Sequence, residues 1–268
     1  MEKKNTETEN KIKAVFFDID GTLVSFKTHA VPESARLSIA QMRERGIKVF
    51  IATGRLLKYT GVVSDLEVDG YVTVNGGYCI TSKGEVIYEC AIPPQTIKKV
   101  FDLRRKYGFS FALLTESGMY VESLEGRAKE VADLINIYPE VADLEHIAST
   151  QRVLQICPYI DPELEKVIMS ELEECVSSRW VDILMDINMR GVDKSLAARH
   201  VMEYYGFSMD EAMAFGDGGN DLSMVRDVAL GVAMGNACEE LKQVADYVTL
   251  SVDEDGVSHA LKKFGLID

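Results

Sequence analysis

Four carboxylates stand at the ends of two apolar runs nearly the whole chain apart. The runs read Val15-Phe16-Phe17-Asp18-Ile19-Asp20-Gly21-Thr22 and Ala214-Phe215-Gly216-Asp217-Gly218-Gly219-Asn220-Asp221. Acidic side chains gathered where strands stop suit a hard divalent cation, which prefers oxygen ligands. In an extended stretch, residues two apart share a face. Asp18 and Asp20 can therefore divide the work of phosphoryl transfer, one attacking phosphorus and the other handling a proton. Each cluster also has a plainer explanation. Gly21 supplies a turn conformation closed to other residues, and Asn220 can cap a helix. The second cluster lacks the alternating ligands and terminal glutamate of an EF-hand, which rules out that calcium loop.

Two smaller signals lie between the clusters. Thr53-Gly54-Arg55 offers a hydroxyl and backbone donors at a strand end, where they can hold phosphate oxygens or simply make a turn. Lys194, in Val192-Asp193-Lys194-Ser195, is either a solvated surface charge or a cation that offsets an attacking carboxylate and a phosphate.

Positioning these residues requires a sheet. Ala14 to Phe17, Ile47 to Ala52 and Tyr71 to Val74 read as strands, with a helix from Pro32 to Arg45 between the first two. Ala212 to Gly216, Val228 to Val232 and Asp246 to Thr249 continue the pattern after a helix that Asp193 caps. This rhythm predicts an α/β fold with a doubly wound, Rossmann-like parallel-sheet core, whose ligands bind beyond the carboxyl ends of the strands.

The middle of the chain differs. Tyr78 to Thr81 and Val86 to Glu89 form a hairpin, helices are expected over Pro94 to Tyr107 and Pro162 to Cys175, and Trp180 to Asn188 reads as one strand. The expected organisation is a tail over 1–11 without order, a core from 12–82 and 190–268, and an inserted α+β domain over 83–189.

Composition narrows the function classes. The 268 residues are 47% hydrophobic, and the formal charge is −14. Such a surface repels phosphate backbones, so no nucleic-acid partner is expected. Five scattered cysteines without a CxxC pair fit reduced thiols better than disulfides or a zinc site. No run reaches the roughly 20 apolar residues of a membrane span. A cytoplasmic location without membrane contact is the expectation.

The motifs DxDGT, TGR, K and GDxxND, in that order, resemble those of the haloacid dehalogenase (HAD) superfamily of phosphotransferases. The stretch from Gly191 to about Leu261 is especially similar to the Cof-type subfamily with a class IIB cap, through Val232-Ala233-Met234-Gly235-Asn236-Ala237, Ala245-Asp246-Tyr247-Val248-Thr249 and Asp255-Gly256-Val257. The resemblance implies that Asp18 is a nucleophile and metal ligand, and that Asp20 is the acid/base whose backbone carbonyl also meets the metal. It implies that Thr53 binds the phosphoryl group together with Gly54, and that Asn220 contacts phosphate or Lys194. Lys194 then orients Asp18, while Asp217 and Asp221 manage Mg²⁺. Ser195 departs from the glycine of many relatives. The insertion becomes a cap, with Glu116, Arg127, Arg152 and Asn188 among the residues that could reach a substrate. The implied activity is a Mg²⁺-dependent phosphatase acting on small phosphorylated metabolites, sugar phosphates first. A phosphomutase using the same intermediate and a non-catalytic phosphate-binding module are the rivals. A pure binder has no need for the acid/base residue.

Overall fold

The computed structural model describes residues 11–268, the side chains at 135, 180 and 181 excepted. The tail expected over 1–11 falls, up to residue 10, outside the described residues. The chain forms two compact units, Met1–Tyr88 with Asp193–Asp268, and Glu89–Val192.

In chain order the first unit opens with β1 (Ala14–Phe17), α1 (Glu33–Glu44), β2 (Lys48–Ala52), β3 (Gly70–Thr73), β4 (Tyr78–Thr81) and β5 (Val86–Glu89). The inserted unit contains α2 (Pro94–Tyr107), β6 (Phe111–Thr115), β7 (Gly118–Val121), α3 (Gly126–Ile135), β8 (Glu140–Val141) and α4 (Leu144–Thr150). It continues through β9 (Val153–Pro158), α5 (Pro162–Ser170), β10 (Cys175–Val181) and β11 (Leu184–Met189). The chain then returns through α6 (Lys194–Tyr204), β12 (Ala212–Gly216), α7 (Leu222–Asp227), β13 (Leu230–Ala233), α8 (Glu239–Val244), β14 (Tyr247–Val248) and α9 (Gly256–Lys263).

The first unit is an eight-stranded sheet in the order β14-β13-β12-β1-β2-β3-β4-β5. Strands β14 through β3 run parallel, and β4 turns back antiparallel to β3. A parallel sheet buried on both faces favours continuous apolar strands, and β1 is such a strand, with Ala14 to Phe17 all buried. Val15 and Phe17 point into a core with α1 and α9, whereas Ala14 and Phe16 point into a second core with α6, α7 and α8. The junctions at 88/89 and 192/193 lie past the 82/83 and 189/190 read from sequence. The cause at the first is that the β4–β5 hairpin finishes the core sheet rather than opening the insertion.

The inserted unit has a six-stranded sheet ordered β10-β11-β9-β6-β7-β8, with α2, α4 and α5 contributing to the hydrophobic core on one face. Two sequence expectations change here. Trp180 to Asn188 is not one strand but parts of β10 and β11, which pair antiparallel about a turn at Asp182-Ile183. The helix from Pro162 stops at Ser170, freeing Cys175 to begin β10. Among the described residues, no helix is long and apolar enough to cross a membrane, and all five cysteines are free thiols.

Candidate active site

Register brings the two acidic clusters together. Phe17 pairs with Phe215 on one side and with Ile51 on the other. Asp18, Asp217 and Thr53 therefore emerge from neighbouring strands at the same, carboxyl end of the sheet. Asp18 is locked there by its amide, which donates to the Phe215 carbonyl at 3.1 Å. Stacking of Phe17 on Phe215, with centroids 4.9 Å apart, braces the two strands directly beneath the site.

Lys194 reaches the same point from the start of α6. Asp193 caps that helix, accepting from the Leu196 amide at 2.8 Å. The turn after β3 approaches α6 closely because Gly76 has no side chain: a Cβ there would lie 2.2 Å from the Asp193 carbonyl oxygen. Ser195, rather than disturbing the helix start, donates to Asp227 at 2.7 Å and ties α6 to α7. Lys194 is completely buried, and its Nζ lies 2.6 Å from both Asp18 Oδ1 and Asp221 Oδ1. Burial disfavours the ammonium, but the two carboxylates outweigh it and hold the pKa above the ordinary lysine value.

Asp221 is fully buried and accepts from three protein donors. Its Oδ2 accepts from the amides of Asp217 and Gly218, each at 3.0 Å, while Lys194 takes its other oxygen. Gly216 makes room for it, since a Cβ there would lie 2.5 Å from the Asp221 Cβ. Asp217 is half-buried and less well served, with Thr22 Oγ1 3.4 Å from its Oδ1 and Asn236 Nδ2 3.4 Å from its Oδ2. Burial, and then the charge of Asp221, push its carboxyl up to about 7. Asp18 is also raised well above the usual carboxylate value, chiefly by burial, with Lys194 opposing and Asp221 and Asp217 adding to the shift.

This charge pattern tests whether a metal fits. Oxygens of Asp18, Asp217 and Asp221 all lie within 4.8 Å of one another. With all three carboxylates ionised, the single ammonium leaves an excess of two negative charges, the amount a divalent cation cancels. An all-oxygen donor set is the chemistry a hard cation selects. The residues fit such an ion.

Asp20 belongs to a different balance. Arg55 grips it in a fork, with Nε 2.8 Å from Oδ2 and a terminal nitrogen 2.5 Å from Oδ1, and also donates to the Tyr59 carbonyl at 3.0 Å. Thr53 is buried, and its hydroxyl oxygen accepts from the Arg55 amide at 3.1 Å, leaving the O–H proton to be donated elsewhere. A Cβ on Gly54 would lie 2.9 Å from Asn75 Oδ1. Asn220 is exposed and donates to Asn75 Oδ1 at 3.0 Å. Its side chain thus contacts Asn75.

Three participants carried no assigned role in the sequence reading. Arg55 was visible within Thr53-Gly54-Arg55, but its partner Asp20 is not inferable from spacing. Asn75 sits at φ 53°, a left-handed turn position that asparagine tolerates. Asn236, within Val232–Ala237, donates to the Gly21 carbonyl at 2.8 Å and accepts from the Val252 amide at 2.9 Å, stitching three loops around Asp217. Of the residues singled out in the insertion, Arg127 donates to the Tyr159 carbonyl at 3.3 Å, Arg152 pairs with Glu89 at 2.8 Å and Asn188 donates to Gln155 at 3.3 Å. Glu116 is exposed.

Residues 15–261 match the haloacid dehalogenase-like hydrolase family. The chain belongs to that family. Among solved structures, BT1666 from Bacteroides thetaiotaomicron, a phosphatase of the HAD superfamily, superposes with a TM-score of 0.90 at 37% identity over 96% of each chain. The HAD subclass IIB sugar phosphatase BT4131 gives a TM-score of 0.85 at 39% identity, covering 95% of this hydrolase and 100% of that chain. The 5-amino-6-(5-phospho-D-ribitylamino)uracil phosphatase YcsE of Bacillus subtilis (strain 168) is 28% identical over 264 residues, 95% of this chain and 96% of the relative.

Proposed function

We propose that this HAD-family phosphatase hydrolyses small phosphorylated metabolites, sugar phosphates foremost, through an aspartyl-phosphate on Asp18 with Mg²⁺ as cofactor. The observation that carries the reading is Lys194 Nζ, buried and 2.6 Å from both Asp18 and Asp221. A buried cation aimed at a strand-end carboxylate beside an uncancelled acidic cluster is arranged for phosphoryl transfer, which depends mainly on positioning and charge neutralisation.

Lys194 fixes one oxygen of Asp18, and the other attacks phosphorus. The bond from phosphorus to the leaving oxygen breaks, and Asp20 gives that oxygen its proton. Asp20 then takes a proton from water, which attacks the aspartyl-phosphate, releasing phosphate and regenerating the Asp18 carboxylate. The Thr53 hydroxyl, with Gly54 and Asn220, holds phosphoryl oxygens. Asp18, Asp217 and the Asp20 carbonyl are the metal ligands in this reading, and Asp221, whose oxygens already accept protein donors, orients the assembly. When bound, Mg²⁺ supplies charge neutralisation for the phosphoryl oxygens. The inserted unit serves as the cap that selects the leaving group.

The test is phosphate release from p-nitrophenyl phosphate and a panel of phosphorylated metabolites. Turnover is expected with Mg²⁺ and none in EDTA. Equal rates in EDTA would remove the metal from the account, and inactivity toward every phosphomonoester would remove the phosphatase reading.

A further inference from the structure

Phe26 is a large apolar side chain held out to solvent beside the candidate metal site. It is 64% exposed, although its neighbour Ser25 is buried. The loop carrying it is closed on itself: the Ser25 amide donates to the Ala30 carbonyl at 3.3 Å and the His29 amide to the Ser25 carbonyl at 2.8 Å. It is also pinned from the far side. Ser25 Oγ donates to Asp253 Oδ1 at 2.5 Å, and Lys27 Nζ pairs with Asp253 Oδ2 at 2.7 Å. Residues 25 and 27 thus bind one carboxylate while the side chain between them goes elsewhere.

That side chain lies over Gly21. An added Cβ at Gly21 would meet Phe26 Cε2 at 2.9 Å and Asp217 Oδ2 at 2.1 Å, and Gly21 itself has φ +81°. One edge of the ring therefore stands near the Asp217 carboxylate. A single exposed apolar residue means little by its presence. Phe26 differs in being anchored through both neighbours, next to groups that handle the phosphoryl moiety. An aromatic ring with free surface, carried on an anchored loop, attracts C–H groups through dispersion and its negative π face.

We propose that Phe26 is a specificity-determining residue whose free ring surface stacks against the C–H face of a cyclic leaving group, as a sugar ring presents. This inference rests on the phosphatase reading above, and it favours phosphates of cyclic over acyclic alcohols. Stacking contributes to binding of the leaving group in ground state and transition state alike, so it acts on KM more than on kcat.

The experiment compares kcat and KM of the full chain for a hexose 6-phosphate and for glycerol phosphate, in the wild type, Phe26→Ala and Phe26→Trp. The wild type should prefer the hexose phosphate. Phe26→Ala should lower the ratio of the two kcat/KM values about 3- to 10-fold, through KM for the cyclic substrate. Phe26→Trp, which restores an aromatic face, should recover the ratio. A ratio that stays constant across the variants overturns the proposal, as does a wild type that hydrolyses both substrates without preference. Either result leaves the phosphatase reading standing. Inactivity toward every phosphomonoester overturns both.

Discussion

Arg55 holds Asp20 side-on, with Nε and one terminal nitrogen of its guanidinium 2.8 and 2.5 Å from the two carboxylate oxygens. The fork fixes the orientation of the proposed acid/base in a way a point charge does not. Arg55→Ala should reduce kcat about 10- to 100-fold, the scale of misplacing a catalytic group by about an ångström. Arg55→Lys should recover only part of the loss. In an Asp20→Ala background the same change should have little further effect, because the arginine acts through that carboxylate. Steady-state kinetics of the double-mutant cycle checks this, and full additivity would contradict it.

Lys194 makes a stability prediction as well as a catalytic one. Its ammonium is the cation between Asp18 and Asp221, and all three groups are buried. Lys194→Met leaves buried carboxylates without their partner, a change worth about 3–5 kcal/mol. Denaturant unfolding should show a destabilisation of that size, with activity lost. A variant with unchanged stability would show that the charges are compensated by another route.

The excess negative charge around Asp217 gives a readout for the metal that needs no substrate. Mg²⁺ should raise the thermal midpoint in a concentration-dependent way, as any ligand of the native state does. Asp217→Asn should abolish most of that shift while keeping a cooperative transition. Differential scanning fluorimetry with and without Mg²⁺ makes the comparison, and an undiminished shift would exclude Asp217 as a ligand.

A separate pH effect belongs to the inserted unit. Asp186 is buried, its Oδ1 accepts from the Cys157 thiol at 3.1 Å, and burial raises its carboxyl to about 6. Below the unfolded value near 3.8, both states carry the proton and the stabilisation is complete. As pH rises from there through about 6, the unfolded state loses the proton first, so stability falls by about 3 kcal/mol in total. Asp186→Asn should flatten the stability curve across that window. Unfolding measured at pH 4, 5, 6 and 7 tests it, and an unchanged slope would assign the window to other groups.

What the sequence makes legible depends on the range of the interaction involved. Val15-Phe16-Phe17 followed by Asp18 is legible because a buried parallel strand is apolar throughout and its end is marked by polarity. Asp193 as a helix cap is a local signal of the same kind, and its hydrogen bond to the Leu196 amide is present. The turn at Asp182-Ile183 is not legible in the sequence because it lacks the glycine or asparagine that usually marks a hairpin. The β4–β5 hairpin is legible, but nothing local says which sheet it joins. Arg55 with Asp20, Asn220 with Asn75 and Asn236 with Gly21 are contacts across the fold, and spacing along the chain carries no record of them.

The central claim is that Asp18 is the nucleophile, and Asp18→Asn tests it most directly because the substitution is nearly isosteric. Phosphate release by the variant, with Mg²⁺ and a substrate the wild type hydrolyses, should fall by about 10⁴-fold or more while thermal unfolding stays cooperative. A folded Asp18→Asn protein with activity within about tenfold of wild type would contradict the account.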